Sequence, residues 1–173
     1  SDVCSSDLEM RDIVLQENNL NNPAYIRFGK GGEELISKNF TMSPDNKYKY
    51  IGNVNANSVI LTTGVTTQIC LKAIEDLEES EKPLIIHFPG LNIEKFKNLN
   101  DLLRNKTKIL VVEEHQKIGG LLTKILHLLL DFKIITNNIS SLNLGDNFIR
   151  KYGTQQDRKS TRLNSSHTDI SRM

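Results

Sequence analysis

The sequence is short of every feature that marks a disulfide-stapled, membrane-spanning or nucleic-acid-binding chain. Its 173 residues hold two cysteines, Cys4 and Cys70. That is too few for a disulfide framework and fits a reducing, cytoplasmic setting. Neither sign of charge is in excess: 22 Lys and Arg stand against 21 Asp and Glu, a formal net charge of +1. A dedicated nucleic-acid or membrane-surface binder carries a basic surplus, so neither partner is expected. The longest greasy stretch runs only from Ile125 to Leu130 and is broken by His127, far short of the roughly 20 residues that span a bilayer. His87 and His127 have no Cys or carboxylate at metal-ligand spacing, so no metal is expected on them. What is present is a chain 38% hydrophobic and 25% charged. That is ample for a packed core and excludes wholesale disorder. The length suits one domain, or one domain plus a fragment of another.

Both ends read as something other than protein-coding sequence. Residues 1–8, Ser-Asp-Val-Cys-Ser-Ser-Asp-Leu, are what a common short-read sequencing adapter encodes (TCA GAC GTG TGC TCT TCC GAT CT), and residues 157–173 read as its reverse complement followed by further adapter. The expectation is that biological sequence runs from Glu9 to Gln156 and is a gene fragment. The two ends carry four residues of each sign, so the charge balance is unchanged without them, and Cys70 is then the single cysteine.

Between those ends the pattern turns from irregular to alternating. Residues 9–17 place Met10, Ile13 and Val14 at helical spacing, and Pro23 to Phe28 reads as a short strand with its proline at the first position. Gly29, Gly31 and Gly32 open a connection, and residues 32–52, with the turn cluster Ser43-Pro44-Asp45-Asn46, read as a linker. From Ser58 onward strands and helices alternate. Ser58 to Thr63 is a β-branched run halted by Gly64, and Val65, Ile69, Cys70, Ala73, Ile74 and Leu77 then form the core face of a helix. Pro83 to Phe88 predicts a strand, Ile93 to Leu103 a helix, and Lys108 to Val112 a buried strand ended by Glu113-Glu114-His115. Gly119-Gly120 opens a helix that is leucine-rich almost all round, Lys133 to Thr136 predicts a last strand, and Asp146 caps a closing helix. This order predicts an α/β fold of three layers, a mostly parallel sheet with helices on both faces.

Four motifs in order resemble one family. Asn22-Pro23-Ala24-Tyr25-Ile26-Arg27-Phe28-Gly29-Lys30-Gly31 is similar to the end of the pyrimidine-binding domain of transketolase-like enzymes. Tyr50-Ile51-Gly52 with Val59-Ile60-Leu61-Thr62-Thr63-Gly64 resembles the start of their C-terminal domain. Val111-Val112-Glu113-Glu114-His115 followed by Ile118-Gly119-Gly120-Leu121 is the most specific match, and Tyr152-Gly153-Thr154-Gln155 resembles the closing motif. The resemblance extends to split transketolase subunits, deoxyxylulose-phosphate synthase and, more loosely, 2-oxo-acid dehydrogenase β subunits. His115 leans toward the first two. It implies residues 9–31 as the end of a pyrimidine domain, 32–52 as a linker and 53–156 as a transketolase C-terminal-like domain.

The resemblance implies a parent enzyme that uses thiamine diphosphate and magnesium to move two-carbon ketol units between sugar phosphates. The rest of that parent, or a partner subunit carrying the diphosphate-binding domain, would complete a homodimer or heterotetramer. The glutamate that activates the cofactor and the diphosphate-magnesium site both fall outside residues 9–156, so the fragment alone is expected to bind no cofactor and to be inactive. Lys30 stands where the family places a basic residue, typically arginine, against the substrate phosphate. Lysine there is a point charge without the bidentate fork. Arg27, inside the strand, is the second phosphate candidate and otherwise pairs with a carboxylate.

The remaining candidates have plainer readings. Glu113, Glu114 and His115 emerge from a buried strand, but strand neighbours point to opposite faces, so the two carboxylates do not converge for acid-base work. A structural or subunit-contact role is expected for them and for Gly119 and Gly120. The Gly119-Gly120 pair offers free backbone N–H groups at a helix start, a generic anion site, without the G-x-G-x-x-G spacing of a dinucleotide binder. Cys70 reads as a packed, inert thiol. A non-catalytic flavodoxin-like binding module is the alternative from another class.

Overall fold

The computed structural model describes residues 39–45, 47–93, 96–134 and 138–145, with Val14 and Tyr25 as isolated positions. The expectations placed on Arg27, Lys30, Asp146 and the Tyr152 motif lie outside the described residues. The elements in chain order are β1 (Thr41–Met42), β2 (Lys49–Ile51), β3 (Ser58–Thr63), α1 (Thr66–Ala73), β4 (Leu84–Phe88), α2 (Lys97–Arg104), β5 (Lys108–Val112), α3 (Leu121–Asp131) and β6 (Ile139–Leu142). They form one six-stranded sheet ordered β1-β2-β4-β3-β5-β6. The strands β4, β3, β5 and β6 run parallel, and β1 and β2 add an antiparallel flank against β4.

The two-residue period of the strands sorts the core into two layers of side chains. Val59 and Leu61, Leu84, Ile86 and Phe88, and Ile109 and Val111 share one face with Leu99 and Leu103 of α2 and Leu121, Ile125, Leu128 and Leu129 of α3. Ile60, Ile85, Leu110 and Val112 share the other face with Cys70 and Ile74 on and just beyond α1. The chain steps from β3 to β4 in one direction, and from β4 past β3 to β5 and on to β6 in the other. Right-handed crossovers demand that this reversal flip the face on which the connecting helix lies, which is why α1 stands alone and α2 and α3 stand together.

Two stretches differ from their sequence reading. Part of the expected linker, residues 39–45 and 47–51, is folded against the sheet. Ser43 makes the turn: its Oγ accepts the N–H groups of Lys47 and Tyr48 at 3.0 and 3.1 Å and donates to Asp45 Oδ1 at 2.7 Å. Tyr48 is thereby delivered into the core, with ring centroids 6.1 Å from Phe88 and 5.9 Å from Phe96, and burial pushes its phenol up to about 12. A two-residue strand and a three-residue strand are too short to show a period, so they were not visible as strands. The last strand also lies later than Lys133 to Thr136: Ile139–Leu142 pairs with Ile109 to Val112. The displacement comes from how α3 stops. Ile134 N–H donates to Leu129 O at 2.9 Å and Lys133 N–H to Leu130 O at 3.0 Å, around Lys133 in the left-handed region at φ +56°. That is a Schellman stop, with Ile134 packed on the core beside Leu129.

Lys106, at the opposite end of the sheet from the motifs singled out above, is buried. Its Nζ donates to Val54 O at 2.5 Å and Ala56 O at 2.7 Å, and desolvation lowers its pKa. It ties the loop before β3 to the turn before β5.

Candidate functional site: the carboxyl edge of the sheet

In a doubly wound sheet the loops after the two strands flanking the reversal diverge to opposite faces and leave a crevice between them. Here those strands are β3 and β5, and the crevice is lined by the ends of both and by the starts of α1 and α3. The β3 side is built of hydroxyls. Gly64 takes φ +57° to turn the chain out of β3, bringing Thr66 and Thr67 back over Thr62. Thr66 Oγ1 lies 2.7 Å from Thr63 O and 3.0 Å from Val112 O, so its one proton bridges the ends of β3 and β5. Thr62 Oγ1 is 2.6 Å from Thr66 Oγ1, and Thr67 Oγ1 is 2.7 Å from His87 Nδ1. All four side chains are fully buried. Cys70 sits beneath them, where burial pushes its thiol up to about 12 against the opposing effect of a Thr62 hydrogen bond. A thiol held protonated and out of solvent is a packing group, not a nucleophile.

The β5 side is built around a charge. Glu113 directly follows the strand, and its side chain is wholly buried. Its Oε2 accepts the Leu121 N–H at 2.5 Å and its Oε1 the Leu122 N–H at 3.1 Å. The carboxylate therefore satisfies two of the orphan donors at the start of α3 and lies at the positive end of the helix. Gly120, the residue preceding α3, leaves the room for it: a Cβ there would collide with the Glu113 carboxylate and lie 2.8 Å from the Cβ of His115. Two of the backbone N–H groups that make a helix start a generic anion site, those of Leu121 and Leu122, are thus taken by the chain's own side chain, in keeping with the structural role expected of the glycine pair. Gly119, at φ +86°, makes the turn just before, and its N–H donates to Thr123 Oγ1 at 3.0 Å. His115 Nδ1 stands 3.0 Å from Glu113 Oε2, and the His115 carbonyl accepts the Leu144 N–H at 3.0 Å, beyond β6. Glu114 is half-buried, apart from the buried cap.

The geometry brings Glu113, His115, Gly119 and Gly120 together and keeps Glu114 outside the cap. Sequence reasoning missed the threonine network. Its signal was the Thr62-Thr63-Gly64-Val65-Thr66-Thr67 run across a strand end, which is uncommonly rich in short hydroxyls for a strand-helix turn. Among the described residues no group of three His, Cys, Asp or Glu side chains is placed to hold a metal ion, and no helix is long and apolar enough to cross a membrane. With the glycine-opened helix start already filled by Glu113, these residues do not fit a magnesium-bound diphosphate.

Fold and site define a class: a doubly wound, mostly parallel α/β domain whose crevice edge is closed by its own carboxylate and hydroxyls. Residues 51–167 match the family model for the transketolase C-terminal domain, running past Gln156, and the chain belongs to that family. Among solved structures it is similar to a split-gene transketolase in an inactive β4 tetramer, at a TM-score of 0.76 and 20% identity. The match covers 99% of this chain and 56% of that one, so the chain spans little more than half the length of that structural relative. At that identity the likeness shows the fold. No curated protein matches by sequence.

Proposed function

We propose that this chain is the C-terminal part of a transketolase-like transferase. In that reading the parent enzyme moves two-carbon ketol units between sugar phosphates with thiamine diphosphate and magnesium. The C-terminal-like domain, matched by the family model over residues 51–167, contributes packing against a partner subunit, or against the rest of the parent, that carries the cofactor-binding machinery. Membership of the transketolase C-terminal domain family carries the proposal, and the Glu113 cap supports a scaffolding part for this domain by occupying the anion-suited start of α3. No step of the transfer is assigned to the described residues. The substrate-facing role falls to Lys30, as the cation for the sugar phosphate, with Arg27 beside it in sequence.

Reconstitution tests the reading. The purified chain is expected to show no ketol transfer alone and to gain it on addition of the subunit or upstream domain that holds the cofactor. Turnover of ketose phosphates by the chain by itself would overturn the division of labour. In the reconstituted enzyme, Lys30→Ala is expected to raise KM for phosphorylated sugars by about tenfold, with kcat less affected, as loss of one charge-assisted contact implies. An unchanged KM removes Lys30 from the phosphate site.

A further inference from the structure

The second nitrogen of His115 is unaccounted for by the cap. Both oxygens of Glu113 accept hydrogen bonds from the backbone of α3, so the carboxylate faces His115 only as an acceptor. At 3.0 Å from Oε2, Nδ1 of His115 must carry the ring proton, because a lone pair there would oppose the carboxylate. The neutral ring is then unprotonated at Nε2, the reverse of the tautomer that free histidine prefers. Nε2 has no hydrogen-bond partner among the described residues. The His115 side chain is 22% exposed while Glu113 is 0% exposed, so the pair has one buried member that orients and one member that reaches the surface. The backbone of His115 is pinned by Leu144, just beyond β6, and Gly120 lets α3 approach its Cβ. A buried carboxylate that fixes the tautomer of a partly exposed imidazole is the arrangement by which a lone pair is aimed outward.

We infer that Glu113 and His115 form an oriented carboxylate–imidazole pair, a binding site at the carboxyl edge of the sheet that presents Nε2 to a hydroxyl donor and turns anions away. The donor is a neutral hydroxyl, because an acceptor lone pair backed by a carboxylate disfavours a phosphate at the same place. The site stands on geometry and does not depend on the chemistry proposed for the parent.

The test is the two-bond proton–nitrogen spectrum of the full chain at about pH 8, where a free imidazole is neutral. His115→Gln identifies the resonances, since it leaves the Glu113 contacts to α3 in place. The expected pattern is a protonated Nδ1 and an unprotonated Nε2. Diethyl pyrocarbonate, which acylates an accessible neutral imidazole nitrogen with release of ethanol and carbon dioxide, is expected to modify His115 at Nε2, a product absent from His115→Gln. Adding inorganic phosphate is expected to leave the His115 resonances unmoved. In Glu113→Gln the tautomer ratio shifts toward Nε2–H. If that variant does not fold, the wild-type spectrum still decides the tautomer. A ring protonated at Nε2 overturns the pairing. A correct tautomer that resists acylation overturns the open acceptor, and a shift with phosphate overturns the exclusion of anions.

Discussion

The two helices that start at the crevice solve the same problem with different chemistry. α1 begins at Val65 with no capping side chain, over a buried lattice in which the hydroxyls of Thr62 and Thr66 meet each other and that of Thr67 meets the His87 ring. α3 begins at Gly120 and receives a full charge from Glu113, seven residues earlier in the chain. The difference follows from distance. α1 follows β3 after two residues, so threonines on the strand and on the helix reach each other. α3 follows β5 after a longer loop, and a side chain from the strand end must reach back to its first turn. Neutral hydroxyls share protons at little desolvation cost. A buried carboxylate is stable only with its oxygens saturated, as here.

Glu113→Ala breaks the contrast most severely. It strips two backbone donors of a charge-assisted partner and leaves them buried, and a loss of about 3 kcal/mol is expected in urea unfolding. Hydrogen exchange is expected to speed at Leu121 and Leu122 and to stay unchanged at the start of α1. Equal acceleration at both helices would show that the two starts are not independent. Gly120→Ala attacks the same cap from the other side. Its Cβ displaces the carboxylate and His115, at about 2 kcal/mol, and the crevice is expected to open at α3 alone. Thr67→Val sharpens the comparison at α1: the shape is kept while the hydroxyl bonded to His87 is lost. The cost is expected near 1.5 kcal/mol, smaller than at Glu113 because no charge is stranded; a loss equal to that of Glu113→Ala would show the neutral network to be the stronger start. Lys133→Gly acts at the far end of α3, where the left-handed backbone suits glycine. A gain of about 1 kcal/mol in unfolding free energy is expected from urea titration, with the α3 start unmoved.

Much of the central sheet was legible. The runs Ser58 to Thr63 and Lys108 to Val112 are both strands to the residue, because a continuous β-branched run bounded by a breaker suits a strand buried on both faces and little else. Cys70 was readable as core for the same reason, from its place on the apolar face of a helix. Lys133 to Thr136 misled because an apolar pair after a helix suits a strand and a helix stop equally well, and only the hydrogen bonds from Lys133 and Ile134 distinguish them. At the site the residues were legible and their relation was not. Glu113, His115, Gly119 and Gly120 stood out together and read as structural, yet which side chain meets the glycine-opened helix start was not legible. Nothing in the sequence says that a glutamate seven positions before Gly120 folds back onto the helix.

The sequence by itself determined the class of fold and the family, since hydrophobic period, strand length and motif order survive without coordinates. The tertiary structure alone decided what occupies the crevice. Whether a helix start is open or capped depends on which side chain reaches it through space. Here the reach of one buried carboxylate, admitted by the missing Cβ of Gly120, converts a generic anion site into an internal cap.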